Sequence, residues 1–533
     1  MTDKIYPINS PMESLGRRDF LMSAGISGAS ALLGGCVAKR AAAAPVPAKT
    51  GLPNIVYILA DDLGYGDVSC LNPESKIPTV NIDRIAREGM IFTDTHSGSA
   101  VCTPTRYGIL TGRYSWRTHL KASVLEGHHP PLIDANRMTV ASLLKSHGYH
   151  TACIGKWHLG LGWATTDGHT ARPNNLDYAK RIEDGPTMHG FDYFFGIPAS
   201  LDMIPYLYVE NDHVVTLPTE TIESSKAPAY FRGGPIAPGF KHEDVLPTLT
   251  KKAVQVIDDH AVKNPNTPLF LYFPLTAPHT PIVPAPEHRG KSAAGIYGDF
   301  VCECDWAVGQ VLDALARNGM TENTLVILTS DNGPSPMANF KTLKAMGHES
   351  SYHFRGAKAD IYEGGHRIPF IARWPNHIAP GATCDHLMCL TDLMATLADL
   401  TGEKLPDSAG EDSISMLTAL LGTAKQRARK DIVHHSISGA FSIRQGAWKL
   451  EFCPGSGGWS EPKDAEAEKM GLPPLQLYDL TPDIGERKNV QEQHSDVVNT
   501  LTKLLEKYIE DGRSTPGAPQ KNEGETSIWG PRG

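Results

Sequence analysis

Residues 54–62 read N-I-V-Y-I-L-A-D-D, an apolar run that ends in two carboxylates. A continuous run of this kind is typical of a strand that is buried on both faces of a sheet. Similar short runs follow along the chain, at 150–154, 269–273, 325–329 and 368–373. Amphipathic helical patterns lie between these runs, at 79–89, 139–147 and 299–318. Strands that alternate with helices predict an α/β fold with a mostly parallel central sheet flanked by helices.

The pattern changes near residue 425. Short strand-like runs with polar turns follow, at 432–436, 440–443, 448–452 and 476–480, and an amphipathic helical pattern covers 497–509. We therefore expect four parts: an export signal and linker at 1–50, a large α/β domain at 51–425, a C-terminal subdomain of antiparallel sheet plus helix at 426–512, and a flexible tail at 513–533.

Polar clusters follow four of the predicted strands. They are Asp61-Asp62, Gly155-Lys156-Trp157-His158, Pro278-His279 and Asp331-Asn332-Gly333. Function in an open parallel sheet usually collects beyond the carboxyl ends of the strands. If the four strands are parallel, all four clusters lie along one edge of the sheet, which makes that edge the candidate functional site.

The acidic members of these clusters offer hard oxygen ligands. Asp61, Asp62, Asp331 and Asn332 together suit Ca²⁺ or Mg²⁺, although Asp-Gly and Asp-Asn-Gly sequences also form ordinary turns. Positive charge and proton donors would come from a second group, Arg106, Lys156, His158, His279 and Lys358.

Composition narrows the classes of partner. The chain has 533 residues with 50 basic and 59 acidic side chains, a net charge of −9, and we find no basic run that favours nucleic acid. An anionic substrate would therefore need a local cationic pocket. There are nine cysteines, and setting aside Cys36 and Cys102 leaves an odd number, which does not indicate a disulfide scaffold.

The N-terminus indicates export. Arg17-Arg18 precede a short apolar stretch that ends near Gly35, and this pattern resembles a twin-arginine export signal. The stretch Leu33-Gly34-Gly35-Cys36 resembles a bacterial lipobox, in which Cys36 would carry a lipid anchor. A plain signal cut between 41 and 44 is the alternative. We expect the twin-arginine machinery as a partner, and a location in the periplasm or on the cell surface of a bacterium.

A family resemblance rests on residues 101–113, V-C-T-P-T-R-Y-G-I-L-T-G-R. The pattern C-x-P-x-R followed by L-T-G-R resembles the signature of the type I, formylglycine-dependent sulfatases, and leans toward arylsulfatase A and N-acetylgalactosamine-6-sulfatase. Further matching motifs run in family order, at 58–67, 155–160, 277–279, 329–333 and 356–369. The resemblance implies an alkaline-phosphatase-like α/β fold with a small C-terminal antiparallel subdomain, in which 51–425 is the sulfatase catalytic domain.

The resemblance also implies a mechanism. Cys102 would be oxidised to formylglycine by a separate maturation enzyme, and the hydrated aldehyde would attack sulfur, form a covalent sulfo-enzyme intermediate and then expel sulfate. The substrate would be an O-sulfate on a carbohydrate or polysaccharide. One Ca²⁺ would be held by Asp61, Asp62, Asp331 and Asn332 together with the side chain derived from Cys102.

The remaining roles follow the same resemblance. Arg106 would hold the formylglycine, Lys156 and Lys358 would bind sulfate oxygens, and His158 would be the base for sulfate release. His279 would bind sulfate and protonate the leaving alcohol.

Other residues have weaker assignments. Asp67 is expected to cap the turn after the first strand, and Arg367 to shape a loop. The long segment 163–245 is expected to line the substrate site, with candidates Asp177, His189, Asp202, Tyr206 and His213. His434 and His435 are also candidates to reach the pocket.

Two alternatives stay open at this stage. One is a phosphate or phosphonate ester hydrolase on the same scaffold, since a cationic pocket accepts any tetrahedral oxyanion. The other is a glycan-binding lipoprotein with an inactive site.

Overall fold

The structure is a computed structural model that describes residues 51–531. The predicted export signal, the lipobox and Cys36 lie outside the described residues. Within 51–531, none of the helices combines the length and the apolar character that crossing a bilayer requires.

Each predicted strand-like run overlaps a strand of the described range. The strands at 54–60, 150–154, 269–273 and 325–329 are longer than predicted, and the bounds of the others differ from the prediction by one or two residues. In chain order the strands are β1 Asn54–Asp61, β2 Met90–Phe92, β3 Thr95–His96, β4 His150–Lys156, β5 Tyr193–Ile197, β6 Val209–Glu210, β7 His213–Val214, β8 Glu220–Ile222, β9 Gly234–Ile236, β10 Leu269–Pro278, β11 Thr324–Ser330, β12 Phe370–Arg373, β13 Ala382–Cys384, β14 Met388–Cys389, β15 Asp431–His435, β16 Phe441–Gln445, β17 Trp448–Glu451 and β18 Gln476–Asp479.

The α-helices include all four of the predicted helical patterns. In chain order they are α1 Val80–Arg87, α2 Cys102–Thr111, α3 Val140–Ser146, α4 Val245–Lys263, α5 Gly295–Arg317, α6 Phe340–Ala345, α7 Glu363–His366, α8 Leu393–Thr401, α9 Leu417–Leu420, α10 Asp464–Lys469 and α11 Ser495–Glu510.

A central sheet of ten strands has the order β13-β2-β12-β11-β1-β10-β4-β5-β6-β7. Its middle strands β11, β1, β10 and β4 are adjacent and parallel. Antiparallel pairs occur toward the two edges, at β11–β12, β12–β2, β5–β6 and β6–β7. The prediction of a mostly parallel sheet in an α/β fold is confirmed.

Strand β1 shows why the sheet is buried on both faces. Ile55, Tyr57 and Leu59 pack into one core, and the alternate residues Val56, Ile58 and Ala60 pack into the other. Helices α2, α3 and α8 contribute to the first core, and α1, α4 and α5 to the second. Each large apolar side chain buried in this way contributes about 1.5–3 kcal/mol, so the middle of the sheet is a rigid support for its carboxyl edge.

The C-terminal part forms a four-stranded antiparallel sheet in the order β15-β16-β17-β18. Its core includes Ile432, Phe441 and Leu501, and it is continuous with Tyr114 and Trp116, which follow α2 in the chain. The C-terminal sheet therefore packs against the segment that follows α2.

The stretch 513–531, which we expected to be flexible, makes hydrogen bonds to the rest of the chain. The Glu523 amide donates to the Arg117 carbonyl at 2.7 Å, and Arg113 donates to the Lys521 carbonyl at 2.8 Å. Asn522 donates to the Ile509 carbonyl at 2.6 Å. The partners in these contacts are main-chain carbonyls, which a sequence pattern does not reveal.

Candidate active site

The four polar clusters meet at one edge of the sheet, as predicted. Asp61 and Lys156 are the last residues of β1 and β4, His279 comes directly after β10, and Asp331 comes directly after β11. These four strands are neighbours and run in the same direction, so the residues that follow them converge.

Helix α2 brings Cys102 to this edge as its first residue. Val101 before it is extended, and Pro104 lies in the first turn, where a missing N–H costs no helical hydrogen bond. The helix ends at Gly112, whose φ of 65° is left-handed and whose amide donates to the Gly108 carbonyl. The partial positive charge of the helix N-terminus favours negative charge at Cys102.

Arg106 lies one helical turn after Cys102 and is completely buried. Its guanidinium donates to Asp331 Oδ2 through Nε at 3.0 Å and through a terminal nitrogen at 2.8 Å, and to the Lys156 carbonyl at 3.1 Å. Burial lowers the pKa of Arg106, but the carboxylates of Asp331 and Asp61 outweigh it, so the pKa lies above its usual value and the side chain stays charged.

The acidic residues form one hydrogen-bonded group. Asp62 has a left-handed φ of 69°, and its amide donates to Asp331 Oδ1 at 3.2 Å. The Asn332 amide group donates to Asp62 Oδ1 at 2.7 Å. Aspartate is among the few residues that tolerate this left-handed backbone conformation. In the turn after β1, this conformation places the Asp62 side chain beside Asn332.

The acidic group fits a hard cation. Asp61 Oδ1 and Asn332 Oδ1 are buried and have no hydrogen-bond partner, and an unmade buried hydrogen bond costs about 1–3 kcal/mol. Burial and the Asp61 carboxylate raise the pKa of Asp331 to about 6, even with Arg106 beside it. Ligand atoms of Asp61, Asp62, Cys102 and His279 all lie within 4.8 Å of one another. Asp61, Asp62, Asp331 and Asn332 offer oxygen donors, as Ca²⁺ prefers.

Two buried lysines pair with this acidic group. Lys156 Nζ donates to Asp61 Oδ2 at 2.7 Å, and Lys358 Nζ donates to Asp62 Oδ2 at 2.8 Å. Burial raises the pKa of Asp61, but Lys156 and the other nearby cations outweigh it and hold the pKa well below its usual value. Gly155 allows Lys156 to reach this position, because a Cβ on Gly155 would lie 1.8 Å from the Pro274 carbonyl oxygen.

His158 is buried in a form that can accept a proton. Its Nε2 lies 2.7 Å from the Leu125 carbonyl oxygen, so this nitrogen carries the hydrogen and donates it. Nδ1 is therefore the basic nitrogen, and it has no hydrogen-bond partner. Burial, together with the positive charges of Lys156 and Arg106, holds the pKa of His158 well below its usual value and keeps the ring neutral.

His279 has the opposite character. Its Nδ1 donates to the Thr280 carbonyl at 2.6 Å, and its Nε2 lies 3.7 Å from Asp62 Oδ2. Burial and Lys358 lower the pKa of His279, but the carboxylates of Asp62 and Asp61 outweigh them and raise it to about 9. At neutral pH the ring is a cation with a proton to donate.

A cavity of about 540 Å³ opens onto Cys102, His279 and Lys358. Asp202 and Arg232 line it and form an ion pair with each other, and Asp202 Oδ1 is buried without a hydrogen-bond partner. Trp459 also lines the cavity, with 44% of its surface exposed. Arg106, Lys156 and His158 are fully buried and do not line it.

Of the candidates in 163–245, Asp202 lines the cavity and the other four do not. Tyr206 packs among Phe231, Phe240 and His242, and His189 stacks on Trp157. His213 is an exposed partner of Asp212, and Asp177 contributes to a local turn.

Four further candidates also have structural contacts. Asp67 accepts from the Gly64 amide at 2.7 Å, which confirms it as a turn cap. Arg367 holds a loop through the Thr93 carbonyl and Glu363, also as predicted. His434 and His435 are buried in the C-terminal sheet and do not line the cavity.

Sequence reasoning missed Arg232 and Trp459. Trp459 follows the Gly-rich stretch C-P-G-S-G-G at 453–458, which indicates a loop. Binding residues often lie in loops, so an aromatic residue in this one could have been predicted to line the site. The Trp459 backbone amide donates to Asp360 Oδ1 at 2.8 Å, and this contact with the loop that carries Lys358 fixes it at the cavity wall.

Known proteins resemble this chain over most of its length. The family model named Sulfatase matches residues 53–403. N-acetylgalactosamine-6-O-sulfatase of Bacteroides thetaiotaomicron is 36% identical over 498 residues, which cover 85% of this chain and 92% of that protein. Human arylsulfatase A is 33% identical over 453 residues, which cover 82% of this chain and 83% of that protein.

Solved structures agree with the family match. A structure from work on the metabolism of multiple glycosaminoglycans by Bacteroides thetaiotaomicron has a TM-score of 0.75 at 34% identity, and the match covers 86% of this chain and 99% of that one. Phosphonate monoester hydrolase of Agrobacterium radiobacter shares the fold, with a TM-score of 0.54 at 19% identity, covering 85% of this chain and 95% of that one. The fold is the expected alkaline-phosphatase-like one, and the chain belongs to the sulfatase family, as a sulfuric ester hydrolase.

Proposed function

We propose that this sulfatase removes O-sulfate groups from a sulfated carbohydrate of the glycosaminoglycan kind, by means of a formylglycine made from Cys102 and one bound Ca²⁺. The names of the similar proteins support the carbohydrate substrate. The observation that carries the proposal is the position of Cys102. It begins a helix, borders the cavity, and has its ligand atom within 4.8 Å of those of Asp61, Asp62 and His279.

Formylglycine explains why a cysteine stands at this position. A thiol or hydroxyl that accepted a sulfuryl group would leave an ester that is slow to hydrolyse. The hydrated aldehyde would supply two hydroxyls on one carbon, one to attack sulfur and one to drive the release of sulfate. The positive end of α2 and the charged Arg106 would stabilise negative charge on this group.

Asp61, Asp62, Asp331 and Asn332 would hold the calcium ion, with the side chain derived from Cys102. Two of these residues have buried oxygens without partners, which is the observation that supports their role. When bound, the ion would supply Lewis acidity toward the nucleophile hydroxyl and a sulfate oxygen.

The remaining polar residues would bind the sulfate group and transfer protons. Lys156 and Lys358 would bind sulfate oxygens, and Lys358 already borders the cavity. His279 would bind sulfate and give its Nε2 proton to the leaving alcohol. His158, neutral and with a free Nδ1, would take the proton from the second hydroxyl.

The cavity suits a sugar residue. Its volume of about 540 Å³ is in the range typical of small-molecule sites. Trp459 offers an aromatic face on which a pyranose ring can pack, and Arg232 and Asp202 offer hydrogen bonds to hydroxyl, amide or carboxylate groups beside the sulfate.

Maturation and export complete the proposal. Cys102 is only 2% exposed in the folded chain, so a maturation enzyme would need to act before folding buries it. If the signal at 1–50 is read by the twin-arginine machinery, which moves folded protein, oxidation would occur in the cytoplasm. The mature enzyme would then work in the periplasm or on the cell surface, with a lipid anchor if Cys36 is modified.

The test is hydrolysis by protein that is coexpressed with a formylglycine-generating enzyme. We expect cleavage of a chromogenic aryl sulfate in clear preference to the matching aryl phosphate, and sulfate release from sulfated glycosaminoglycan disaccharides. Chelation should abolish activity and Ca²⁺ should restore it. Cys102→Ala should be inactive, whereas Cys384→Ala, which changes a half-buried cysteine elsewhere, should be active. A preference for the phosphate ester would contradict the proposal.

A further inference from the structure

A second group of metal-ligating side chains lies outside the active site. His96 on β3, His366 at the end of α7 and His434 on β15 are all completely buried. One ring nitrogen of each lies within 4.8 Å of the others. The three residues join two parts of the main domain to the C-terminal sheet, and the sulfatase reaction described above does not use them.

A ring nitrogen of His96 faces a ring nitrogen of His366. Nδ1 of His96 lies 3.0 Å from Nδ1 of His366. On the outer side, Nε2 of His96 lies 3.0 Å from Asp94 Oδ1, and Nε2 of His366 lies 3.0 Å from the Ile361 carbonyl oxygen. In the tautomers in which both outer nitrogens donate, the two inner lone pairs face each other and can share a cation or a proton. In the other tautomers Arg444 or Lys449 donates to an outer nitrogen, and one Nδ1–H donates to the other Nδ1.

His434 adds a third nitrogen without a partner. Its Nδ1 lies 3.1 Å from Ser442 Oγ, while its Nε2 is buried and makes no hydrogen bond. The ring stacks on His366 with centroids 3.7 Å apart. The His434 ring must tilt out of this stack before its Nε2 can bind the same ion as His96 and His366. Because Nε2 makes no hydrogen bond, the tilt breaks none at that atom.

The surrounding contacts match those of metal-bound histidines. Such a histidine usually donates its other ring N–H to a carboxylate or a backbone carbonyl, as His96 does to Asp94 and His366 does to Ile361. The cations Arg444 and Lys449 approach only the outer nitrogens, each at 3.1 Å. They are paired with carboxylates, Arg444 with Asp94 and Lys449 with Glu486.

We propose that His96, His366 and His434 form a second metal site, which binds a divalent transition ion of the zinc type and ties the C-terminal sheet to the main domain. Three imidazole nitrogens favour zinc, cobalt, nickel or copper over calcium, which prefers oxygen ligands. The ion would bind the two facing nitrogens and would give the buried His434 Nε2 a partner. This site does not depend on the function proposed for Cys102.

The test is titration with Co²⁺, a spectroscopic probe for zinc sites. The full chain should carry Cys102→Ala and saturating Ca²⁺, so that neither the thiol nor the acidic group of the active site binds the probe. We expect one equivalent of cobalt, a visible d–d absorption band typical of nitrogen ligands, and a rise in the unfolding temperature. Elemental analysis of protein purified without an affinity tag should find close to one zinc-type ion per chain.

Two variants make the assignment specific. His434→Ala should lose the band and the temperature rise, and His435→Gln should keep both, because His435 is equally buried on the same strand but outside the group. The absence of cobalt binding in the parent protein would overturn the proposal and leave a shared proton between His96 and His366. Binding that survives His434→Ala unchanged would also overturn it. The parent titration decides even if a variant fails to fold.

Discussion

His158→Gln separates the structural contact of His158 from its proposed role as a base. The glutamine amide can still donate to the Leu125 carbonyl, which His158 Nε2 reaches at 2.7 Å, but it has no basic nitrogen in place of Nδ1. General base catalysis contributes about 10²–10⁴-fold. We therefore expect kcat to fall by about 10²–10⁴-fold, a rise of roughly 2.7–5.4 kcal/mol in the activation barrier.

The structure also predicts the effect on stability. Because the Leu125 carbonyl keeps its donor, His158→Gln should change the free energy of unfolding by no more than about 1 kcal/mol, the net value of one typical hydrogen bond. His158→Ala leaves that buried carbonyl without a partner and should cost about 1–3 kcal/mol. The difference between the two variants in urea unfolding measures the structural contact alone.

Stopped-flow hydrolysis of a chromogenic aryl sulfate is the assay for the catalytic part. If His158 serves the release of sulfate, His158→Gln should show a burst of one phenol per active site, followed by slow turnover. The matched control is His260→Gln, because His260 is also buried and its Nε2 donates to the Thr267 carbonyl at 2.8 Å, away from the site. A folded His158→Gln enzyme with kcat within a few fold of the parent would refute the reasoning.

Three further changes test the surroundings of the nucleophile. Lys358→Met removes a cation that borders the cavity, and kcat/KM for the aryl sulfate should fall by about 10²–10³-fold; a loss below tenfold would argue against sulfate binding by this residue. Arg106→Leu removes the cationic partner of buried carboxylates, so the free energy of unfolding, measured by urea titration in the presence of chelator, should fall by about 3–5 kcal/mol. The control Arg317→Leu breaks an exposed ion pair and should lower it by at most about 1 kcal/mol in the same titration. Trp459→Ala should weaken sugar binding by about 0.5–1.5 kcal/mol, the value of roughly 20–60 Å² of apolar ring surface removed from water. That corresponds to a roughly twofold to tenfold rise in KM for a sulfated disaccharide. An equal rise for a small aryl sulfate would show that the tryptophan does not recognise the sugar.

The strands that carry the site could be predicted because buried parallel strands have continuous apolar sequences. The run at 54–60 and the carboxylates after it follow this rule, and the edge where they lie follows from the direction of the strands. β10 was predicted too short, ending at Phe273, because Pro274 and Pro278 are unusual in a strand. The two prolines pair with Leu59 and Asp61 of β1, and the register of the β1–β10 pair shifts between these two residues.

The cavity wall and the histidine group could not be predicted. Arg232 and Trp459 lie 227 positions apart in the chain, and the fold alone brings them to one cavity. His434 was a candidate to reach the active-site pocket, but β15 turns its side chain toward His366. These placements depend on packing between distant segments, which no local pattern encodes.

The central claim is that Cys102 becomes the nucleophile of sulfate ester hydrolysis through oxidation to formylglycine. The most direct measurement is mass spectrometry of the tryptic peptide 88–106 from active enzyme, with the turnover of an aryl sulfate measured on the same sample. We predict the mass loss of thiol-to-aldehyde conversion, in a fraction of molecules that scales with specific activity across preparations. Active enzyme in which Cys102 is entirely unmodified would contradict the account.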